Sequence, residues 1–193
     1  YSSAASDVYK RQGPSGVGKG TVRKIVMRDK SLNLAYSISM TTREPRAKEK
    51  DGVDYFFVSN EVFEENVANG NLLEHAEFVG NKYGTPSDYV EKLRNEGKNV
   101  ILEIEVNGAK QVLTKIDKKD RVTIFLLPPS IEELESRIRH RRSETEDIIQ
   151  ARLEKAKREM SEQNKYDYVV VNDTVNRAAS AIKSIIRRSI NRL

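Results

Sequence analysis

Three short runs of apolar residues stand out along the chain. They cover residues 100–102, 122–127 and 168–171, and each consists mainly of aliphatic or β-branched side chains. Runs of this length and composition are typical of parallel strands that are covered on both faces. The chain is therefore predicted to contain a buried parallel sheet.

Apolar residues also recur at helical spacing in three segments between and after these runs. The segments are marked by Ile131, Leu134 and Ile138; by Ile149, Leu153, Ala156 and Met160; and by Ala178, Ile182, Ile185 and Ile186. Asp173 or Thr174 is a candidate N-cap for the last helix. Strands that alternate with helices predict an α/β fold with a parallel sheet flanked by helices.

Residues 36–92 have a different character. This stretch is polar, rich in turn residues and dotted with aromatic residues, as at positions 51–57 and 80–84. We predict that it forms a small β-containing insert on the α/β core, and that it serves as a binding surface.

Composition narrows the class of protein. The 193 residues suit one domain, and 37% are apolar whereas 33% are charged. There is no Cys, which excludes disulfides and thiolate metal sites. No apolar run approaches the roughly 18 residues that span a bilayer, and no secretory signal is visible at the N-terminus. We expect a cytoplasmic globular protein.

A glycine-rich motif, GPSGVGKGT, occupies residues 13–21. Its glycines allow a tight turn whose N–H groups point at phosphate oxygens, and Lys19 adds a positive charge. A helix that starts near Lys19 would present its N-terminus to the same anion. Gly20 stands where Ser or Thr normally holds Mg²⁺, so a direct metal contact by the adjacent Thr21 is an open question. The motif predicts a nucleoside triphosphate site, but it does not separate a kinase from a GTPase or a motor.

The residues before this motif do not fit it. A central strand before a phosphate loop should be almost continuously apolar, yet within residues 6–12 only Val8 and Tyr9 qualify. Residues 1–12 are predicted to be a foreign remnant of cloning or sequence assembly, and the alternative is a degenerate first strand.

Two arginines, Arg43 and Arg46, lie three residues apart among hydroxyl side chains in SISMTTREPR, residues 37–46. Guanidinium groups make charge-assisted, often bidentate contacts with phosphate. Tyr55 and Tyr83 are candidate hydroxyl donors to the same group. Together with the phosphate loop, these residues predict a second phosphate site.

The order of motifs resembles that of the guanylate kinase family from Gly13 to the C-terminal end. The motifs are SISMTTREPR at 37–46, DGVDYF at 51–56, LEHA at 73–76, YGT at 83–85, LEIEVNGA at 102–109, PPS at 128–130, the arginines of 137–141 and VND at 171–173. The resemblance implies a P-loop core (13–35, 93–135 and 165–193), a GMP-binding insert (36–92) and a helical lid (136–164). It also implies transfer of the γ-phosphoryl group of ATP to GMP or dGMP, with Mg²⁺.

The resemblance further implies a role for individual residues. The implied ATP ligands are Gly13, Pro14, Ser15, Gly16, Val17, Gly18, Lys19, Gly20, Thr21 and Asn172. The implied GMP ligands are Ser39, Arg43, Arg46, Tyr55, Glu74, Tyr83, Thr85 and Glu105. The implied catalytic residues are Lys19, Arg43, Arg137, Arg141 and Arg152, and Glu103 is the implied Mg²⁺ residue, acting mostly through water.

Physical chemistry supports several of these roles. Guanine offers two adjacent donors that one carboxylate can accept, whereas adenine would set a lone pair against Glu74. Glu103 and Glu105 follow an apolar run and share one face at the end of a strand, where ligands bind in open α/β sheets. Arg137 and Arg141 are four residues apart and share a helix face. We expect Arg139 and Arg142 to belong to a solvated basic surface.

Other classes of protein fit parts of the sequence. A different nucleoside monophosphate kinase, or a sugar-phosphate kinase, would share the phosphate loop. Non-catalytic peptide-binding relatives typically lack that loop, which is intact here. A net charge of +5 alone suggests a nucleic-acid binder, but no recognised RNA- or DNA-binding motif is present. We expect ATP and GMP as partners, with neither nucleic acid nor membrane, and the sequence leaves the oligomeric state open.

Overall fold

A computed structural model describes residues 8–14, 16–78, 80–104, 106–140 and 145–191, and for residues 8–12 and 78 it describes the backbone. The strands are β1 (Val8–Gln12), β2 (Leu34–Tyr36), β3 (Met40–Thr41), β4 (Phe56–Phe57), β5 (Leu72–Phe78), β6 (Asn81–Pro86), β7 (Asn99–Glu103), β8 (Arg121–Leu127) and β9 (Tyr168–Val171). The α-helices are α1 (Lys19–Val26), α2 (Asn60–Ala68), α3 (Ser87–Asn95), α4 (Val106–Lys115), α5 (Ile131–His140), α6 (Glu146–Met160) and α7 (Val175–Ile190). Single 3₁₀ turns cover Lys30–Leu32, Lys118–Asp120 and Gln163–Lys165.

Two sheets organise the described chain. The core sheet is parallel, with strand order β2-β7-β1-β8-β9, and the insert sheet has the order β4-β3-β6-β5. The insert sheet lies within residues 40–86, inside the predicted insert range. The predicted parallel sheet, the strands within residues 99–171 and the three predicted helices are confirmed.

The core sheet is covered on both faces, as the continuous apolar runs predicted. Alternation along β7 sends Ile101 into a cluster with α1 and α7, while Val100 and Leu102 pack on the opposite face beside Val112 of α4. Strands buried on both faces need apolar residues at consecutive positions, which is why these runs were recognisable.

Helices α5 and α6 form a smaller unit with a core of its own. Leu134 and Ile138 of α5 pack against Ile149, Leu153 and Ala156 of α6. This helix pair occupies the predicted lid range. Of the two candidate caps for α7, Thr174 is the N-cap, and its hydroxyl accepts a hydrogen bond from the Arg177 N–H at 3.4 Å.

The backbone of Val8–Gln12 forms the central strand of the core sheet. It pairs in parallel with β7 on one side and with β8 on the other, so that Lys10 lies opposite both Leu102 and Thr123. Of the two readings of residues 1–12, the degenerate strand is the one that fits residues 8–12, whereas residues 1–7 lie outside the described chain. A foreign origin of the segment stays a prediction.

We predict that a more apolar β1 stabilises the protein. Replacing residues 8–12 by Leu-Ile-Val-Leu-Ser would put aliphatic side chains in a central strand, where each fully buried one contributes roughly 1.5–3 kcal/mol. The free energy of unfolding should therefore rise by about 3 kcal/mol or more, as measured by denaturant titration with and without ATP and GMP. Val8→Leu alone is the matched control and should change little. If the original chain unfolds at the same denaturant concentration as the replaced one, its strand is already competent.

Candidate active site

The phosphate loop lies between the end of β1 and the start of α1. The Lys19 ammonium folds back over the loop and donates to the carbonyl oxygens of Gly13 at 2.6 Å and Pro14 at 3.2 Å. Because β1 and β7 are neighbours, the loop lies beside Glu103, the last residue of β7. The sheet thus brings together a phosphate cradle and a carboxylate that are far apart in sequence.

Asn172 supports this loop from the end of β9. Its side-chain amide donates to the Val17 carbonyl at 2.7 Å, and its backbone N–H donates to the Leu127 carbonyl at 2.7 Å. The side chain is 2% exposed, and within the described residues its Oδ1 is buried without a hydrogen-bond donor. Buried acceptors of this kind call for an external partner such as a ligand or water.

Two cavities adjoin the loop. One, of about 390 Å³, is lined by Gly16, Gly18, Thr21, Arg137, His140, Asn172, Asp173 and Val175. The other, of about 460 Å³, is lined by Gly16, Gly18, Lys19, Gly20, Thr21, Arg23, Lys24 and Glu103. The two cavities share Gly16, Gly18 and Thr21 of the loop, and we call them together the donor side.

A third cavity, of about 270 Å³, lies between the insert sheet and the core. It is lined by Tyr36, Ser39, Tyr55, Glu74, Ala76, Tyr83, Glu103 and Ile104. Four predicted GMP ligands, Ser39, Tyr55, Glu74 and Tyr83, thus face one space, which we call the acceptor cavity. Glu103 lines both this cavity and the larger loop cavity.

The Glu74 carboxylate is the buried acid of the acceptor cavity. The residue is only 5% exposed, and Thr85 Oγ1 donates to Glu74 Oε1 at 2.6 Å. Glu74 and Thr85 lie directly opposite each other on β5 and β6. Thr85 therefore holds the carboxylate in place.

Arg43 lies beside the acceptor cavity and is held by Glu49. Arg43 Nη2 donates to both carboxylate oxygens of Glu49, at 2.9 and 2.8 Å, and its guanidinium carbon lies 5.4 Å from the Tyr55 ring centroid. Burial lowers the pKa of Arg43, but the hydrogen bond and the charge of Glu49, together with Tyr83, outweigh burial and raise that pKa. The Arg46 N–H also donates to Glu49 at 2.9 Å and is the largest cause of the lowered Glu49 pKa. Arg46 itself is exposed.

Sequence reasoning missed Arg23 and Tyr36, which lie beside Glu103 between the cavities. The Arg23 guanidinium stacks over the Tyr36 ring at 3.7 Å and lies 3.4 Å from Glu103 Oε2. Burial raises the pKa of Tyr36 to about 12, and Glu103 contributes in the same direction against Arg23. Arg23 follows Lys19 by four residues on α1, and this i, i+4 spacing is the signal that would have identified it. Glu49 carried no comparable signal.

Of the three lid arginines with a predicted catalytic role, the structure describes Arg137 and Arg152. Arg137 donates to Glu133 Oε1 at 2.9 Å and to the Asn172 carbonyl at 3.3 Å, which ties α5 to the donor side. Arg139 pairs with Glu135 and Glu146, each at 2.6 Å, and so braces α5 against α6. Arg152 lies on α6 and, among the described lining residues, borders neither the acceptor cavity nor the two loop cavities. Ser15, Glu105, Arg141 and Arg142 lie outside the described residues.

A family model for guanylate kinase matches residues 11–189. The chain belongs to the guanylate kinase family. It is 58% identical over 174 residues to a guanylate kinase of Bacillus cereus, covering 90% of this chain and 84% of that one. It is 55% identical over 176 residues to one of Mesoplasma florum, covering 91% of this chain but 59% of the longer relative. The crystal structure of an Anaplasma phagocytophilum guanylate kinase matches with a TM-score of 0.75 at 34% identity, covering 96% of this chain and 86% of that one.

These matches confirm the predicted family and its P-loop fold. They also place the chain among nucleoside monophosphate kinases. In the part of the chain that the structure describes, no helix is long and apolar enough to cross a membrane.

We predict that Gly18→Ala damages the donor side of the guanylate kinase site. Gly18 has a φ of 97°, and a Cβ there would lie 2.8 Å from Asn172 Nδ2. A left-handed backbone costs an L-residue roughly 1–2 kcal/mol, and the Asn172 bond to Val17 would have to shift as well. Calorimetry should show weaker ATP binding, and denaturant titration should show lower stability.

Gly20→Ala is the matched control for folding stability. Gly20 lies in α1, and nothing lies within 4 Å of the Cβ that this change adds. Alanine should therefore stabilise the helix by roughly 0.5–1 kcal/mol. Equal losses of stability in both variants would contradict a specific role for the Gly18–Asn172 contact.

Proposed function

We propose that this chain transfers the γ-phosphoryl group of ATP to GMP, giving ADP and GDP, with dGMP as a slower acceptor. The observation that carries the proposal is a buried carboxylate, Glu74, in a cavity that shares Glu103 with the phosphate-loop cavity. One cavity thus fits a guanine nucleotide, and the other fits a nucleoside triphosphate. The shared wall is where their phosphates would meet.

Base selection follows from the chemistry of the acceptor cavity. The carboxylate of Glu74 accepts from the N1–H and 2-amino groups of guanine, while Ser39 reaches O6. Adenine carries an acceptor at N1 and no 2-amino group, so it would offer the buried carboxylate neither of the two donors that guanine supplies. Sites of this kind reject the mismatched analogue strongly.

Phosphate binding requires an exchange of partners. Arg43 would give up Glu49 for the GMP phosphate, with Tyr55 and Tyr83 as further donors and Arg46 approaching from the exposed side. Lys19 would give up the carbonyls of Gly13 and Pro14 for the β- and γ-phosphates of ATP. Each exchange trades a contact within the protein for a charge-assisted one.

The reaction itself needs positioning more than covalent chemistry. A phosphate oxygen of GMP forms a bond to the γ-phosphorus while the bond from that phosphorus to the β–γ bridging oxygen breaks. Lys19, Arg43 and Arg137 would surround the transferring group and offset the charge that spreads over its oxygens. On the family resemblance alone, we assign Arg141 and Arg152 supporting roles at the ATP phosphates and Glu105 a position near the acceptor nucleotide.

The residues present fit a magnesium ion bound chiefly through phosphate and water. Among the described residues there is no group of three or more His, Cys, Asp or Glu that could hold a metal. Glu103 supplies one carboxylate at the shared wall, and Thr21 also lines the loop cavity. Mg²⁺ bound with ATP would neutralise phosphate charge there. We expect the protein to work in the cytoplasm on free nucleotides.

A coupled ADP-release assay with a panel of acceptors tests the function. We predict rapid, Mg²⁺-dependent turnover with GMP, slower turnover with dGMP, and very poor turnover with AMP, CMP and UMP. Lys19→Met is the control, because it should abolish turnover while calorimetry still shows GMP binding at the separate acceptor cavity. Equal rates with AMP and GMP would overturn the assignment.

A second prediction concerns the lid. Arg137→Ala should lower kcat far more than it raises KM for GMP, because Arg137 lies on the donor side and would act on charge that develops during transfer. Arg139→Ala is the matched control on the same helix, and its kcat should stay close to that of the parent chain. An effect of Arg137→Ala confined to KM for GMP would move this arginine to the acceptor site.

A further inference from the structure

Helix α4 belongs to the core, yet it is attached directly to the insert strand that carries Glu74. β5 is the outermost strand of the insert sheet, with β6 on one side. On its other side, Gln111 of α4 donates through Nε2 to the His75 carbonyl at 2.8 Å and accepts from the His75 N–H at 3.1 Å. One glutamine side chain therefore pairs with β5 as a neighbouring strand would.

A second contact fixes the first residue of the same strand. Lys115, at the end of α4, donates to the Leu72 carbonyl at 2.6 Å. Leu73 packs between these contacts into a core cluster with Val112 and Ile116 of α4. The strand is thus held along α4 on both sides of Glu74.

The pairing of β5 with β6 shifts register between Leu72 and Glu74. Such irregularities re-aim side chains near binding sites. Here the shift coincides with a Leu73 side chain in the core and a Glu74 carboxylate against α4.

Gly108 is the residue of α4 that faces this carboxylate. A Cβ at position 108 would lie 2.2 Å from Glu74 Oε2 and 3.0 Å from its Cδ. No side chain fits at that distance, so any other residue would displace the carboxylate. The other carboxylate oxygen is held by Thr85, which leaves little room for a shift without loss of that bond.

We propose that Gly108 and Gln111 are specificity-determining positioning residues, which set the place of the Glu74 carboxylate through α4. Gly108 has no side chain and so leaves room for the Glu74 carboxylate. Gln111 holds β5 against α4 and so keeps the carboxylate in that room. Neither residue touches the substrate; both act through Glu74. The inference rests on the proposed role of Glu74 in guanine recognition.

The test compares GMP with IMP, which keeps the N1–H donor of guanine but lacks the 2-amino group. Gly108→Ala should lower kcat/KM for GMP by about tenfold or more, the loss expected for one hydrogen bond to a charged group. IMP should lose less, so the GMP/IMP ratio of kcat/KM should fall. Gln111→Ala should lower the same ratio. Gln111→Glu keeps only the acceptor for the His75 N–H, so its GMP/IMP ratio should lie between those of Gln111→Ala and the parent chain.

Two controls separate positioning from general damage. Asn107→Ala, at an exposed residue of the same helical turn, should leave the ratio unchanged. Calorimetric affinity for ATP should also be unchanged in Gly108→Ala and Gln111→Ala, because the loop cavities lie elsewhere. Loss of GMP and ATP binding together would show structural damage and overturn a positioning role.

A double-mutant cycle with Glu74→Gln decides whether the effect runs through Glu74. If it does, Gly108→Ala should add little in the Glu74→Gln background. If Glu74→Gln leaves the GMP/IMP ratio unchanged, the proposed role of Glu74 is wrong. If Glu74→Gln lowers the ratio but folded Gly108→Ala and Gln111→Ala do not, only the present inference is wrong. Should Gly108→Ala fail to fold, Gln111→Ala alone decides between these outcomes.

Discussion

In the proposed reaction, two nucleotides that both carry phosphate meet end to end at one edge of the sheet, and the repulsion between their phosphates is the constraint on which the site depends. Like charges a few ångströms apart repel strongly where water is excluded. Four cations beside the cavities come from separate elements: Lys19 and Arg23 from α1, Arg43 from the insert, and Arg137 from α5. The parallel sheet is what makes this possible, because the β1–loop–α1 unit and the end of β7 lie side by side.

Each of these cations already has a partner within the protein. Lys19 has the loop carbonyls, Arg23 has Glu103, Arg43 has Glu49 and Arg137 has Glu133. An isolated cation in a half-buried site would be costly, so the internal partners keep the side chains ordered before substrate arrives. In the proposed exchange, substrate phosphates would replace partners that are already in place, so little side-chain entropy would remain to be lost.

Sequence predicted those parts of the molecule in which one local pattern decides the outcome. The apolar runs of β7, β8 and β9 and the GPSGVGKGT loop are of this kind. β1 was harder, because only Val8 and Tyr9 are apolar and the strand owes its place to pairing with β7 and β8. Arg23 and Tyr36 were missed as neighbours of Glu103, because the three residues lie on α1, β2 and β7 and no spacing along the chain connects them. Glu49 was missed for a similar reason, because nothing in the sequence around it indicates that its carboxylate pairs with Arg43.

The two halves of the site are also built differently. The acceptor half is fixed by contacts that exist without substrate: Thr85 holds Glu74, and α4 clamps β5 against the core. The donor half depends on a helix pair with its own small core, which meets the loop through contacts such as that of Arg137 with the Asn172 carbonyl. A carboxylate that discriminates between bases must keep one position, because a shift comparable to a hydrogen-bond tolerance removes the discrimination. Charges that act on the transferring group need only be in place at the moment of transfer. They can therefore reside on a separate unit such as the α5–α6 helix pair. On the proposed assignment, base choice therefore depends on the contacts that hold Glu74, whereas transfer depends on cations from both halves, with Arg43 on the insert and Lys19 and Arg137 where the lid helices meet the loop.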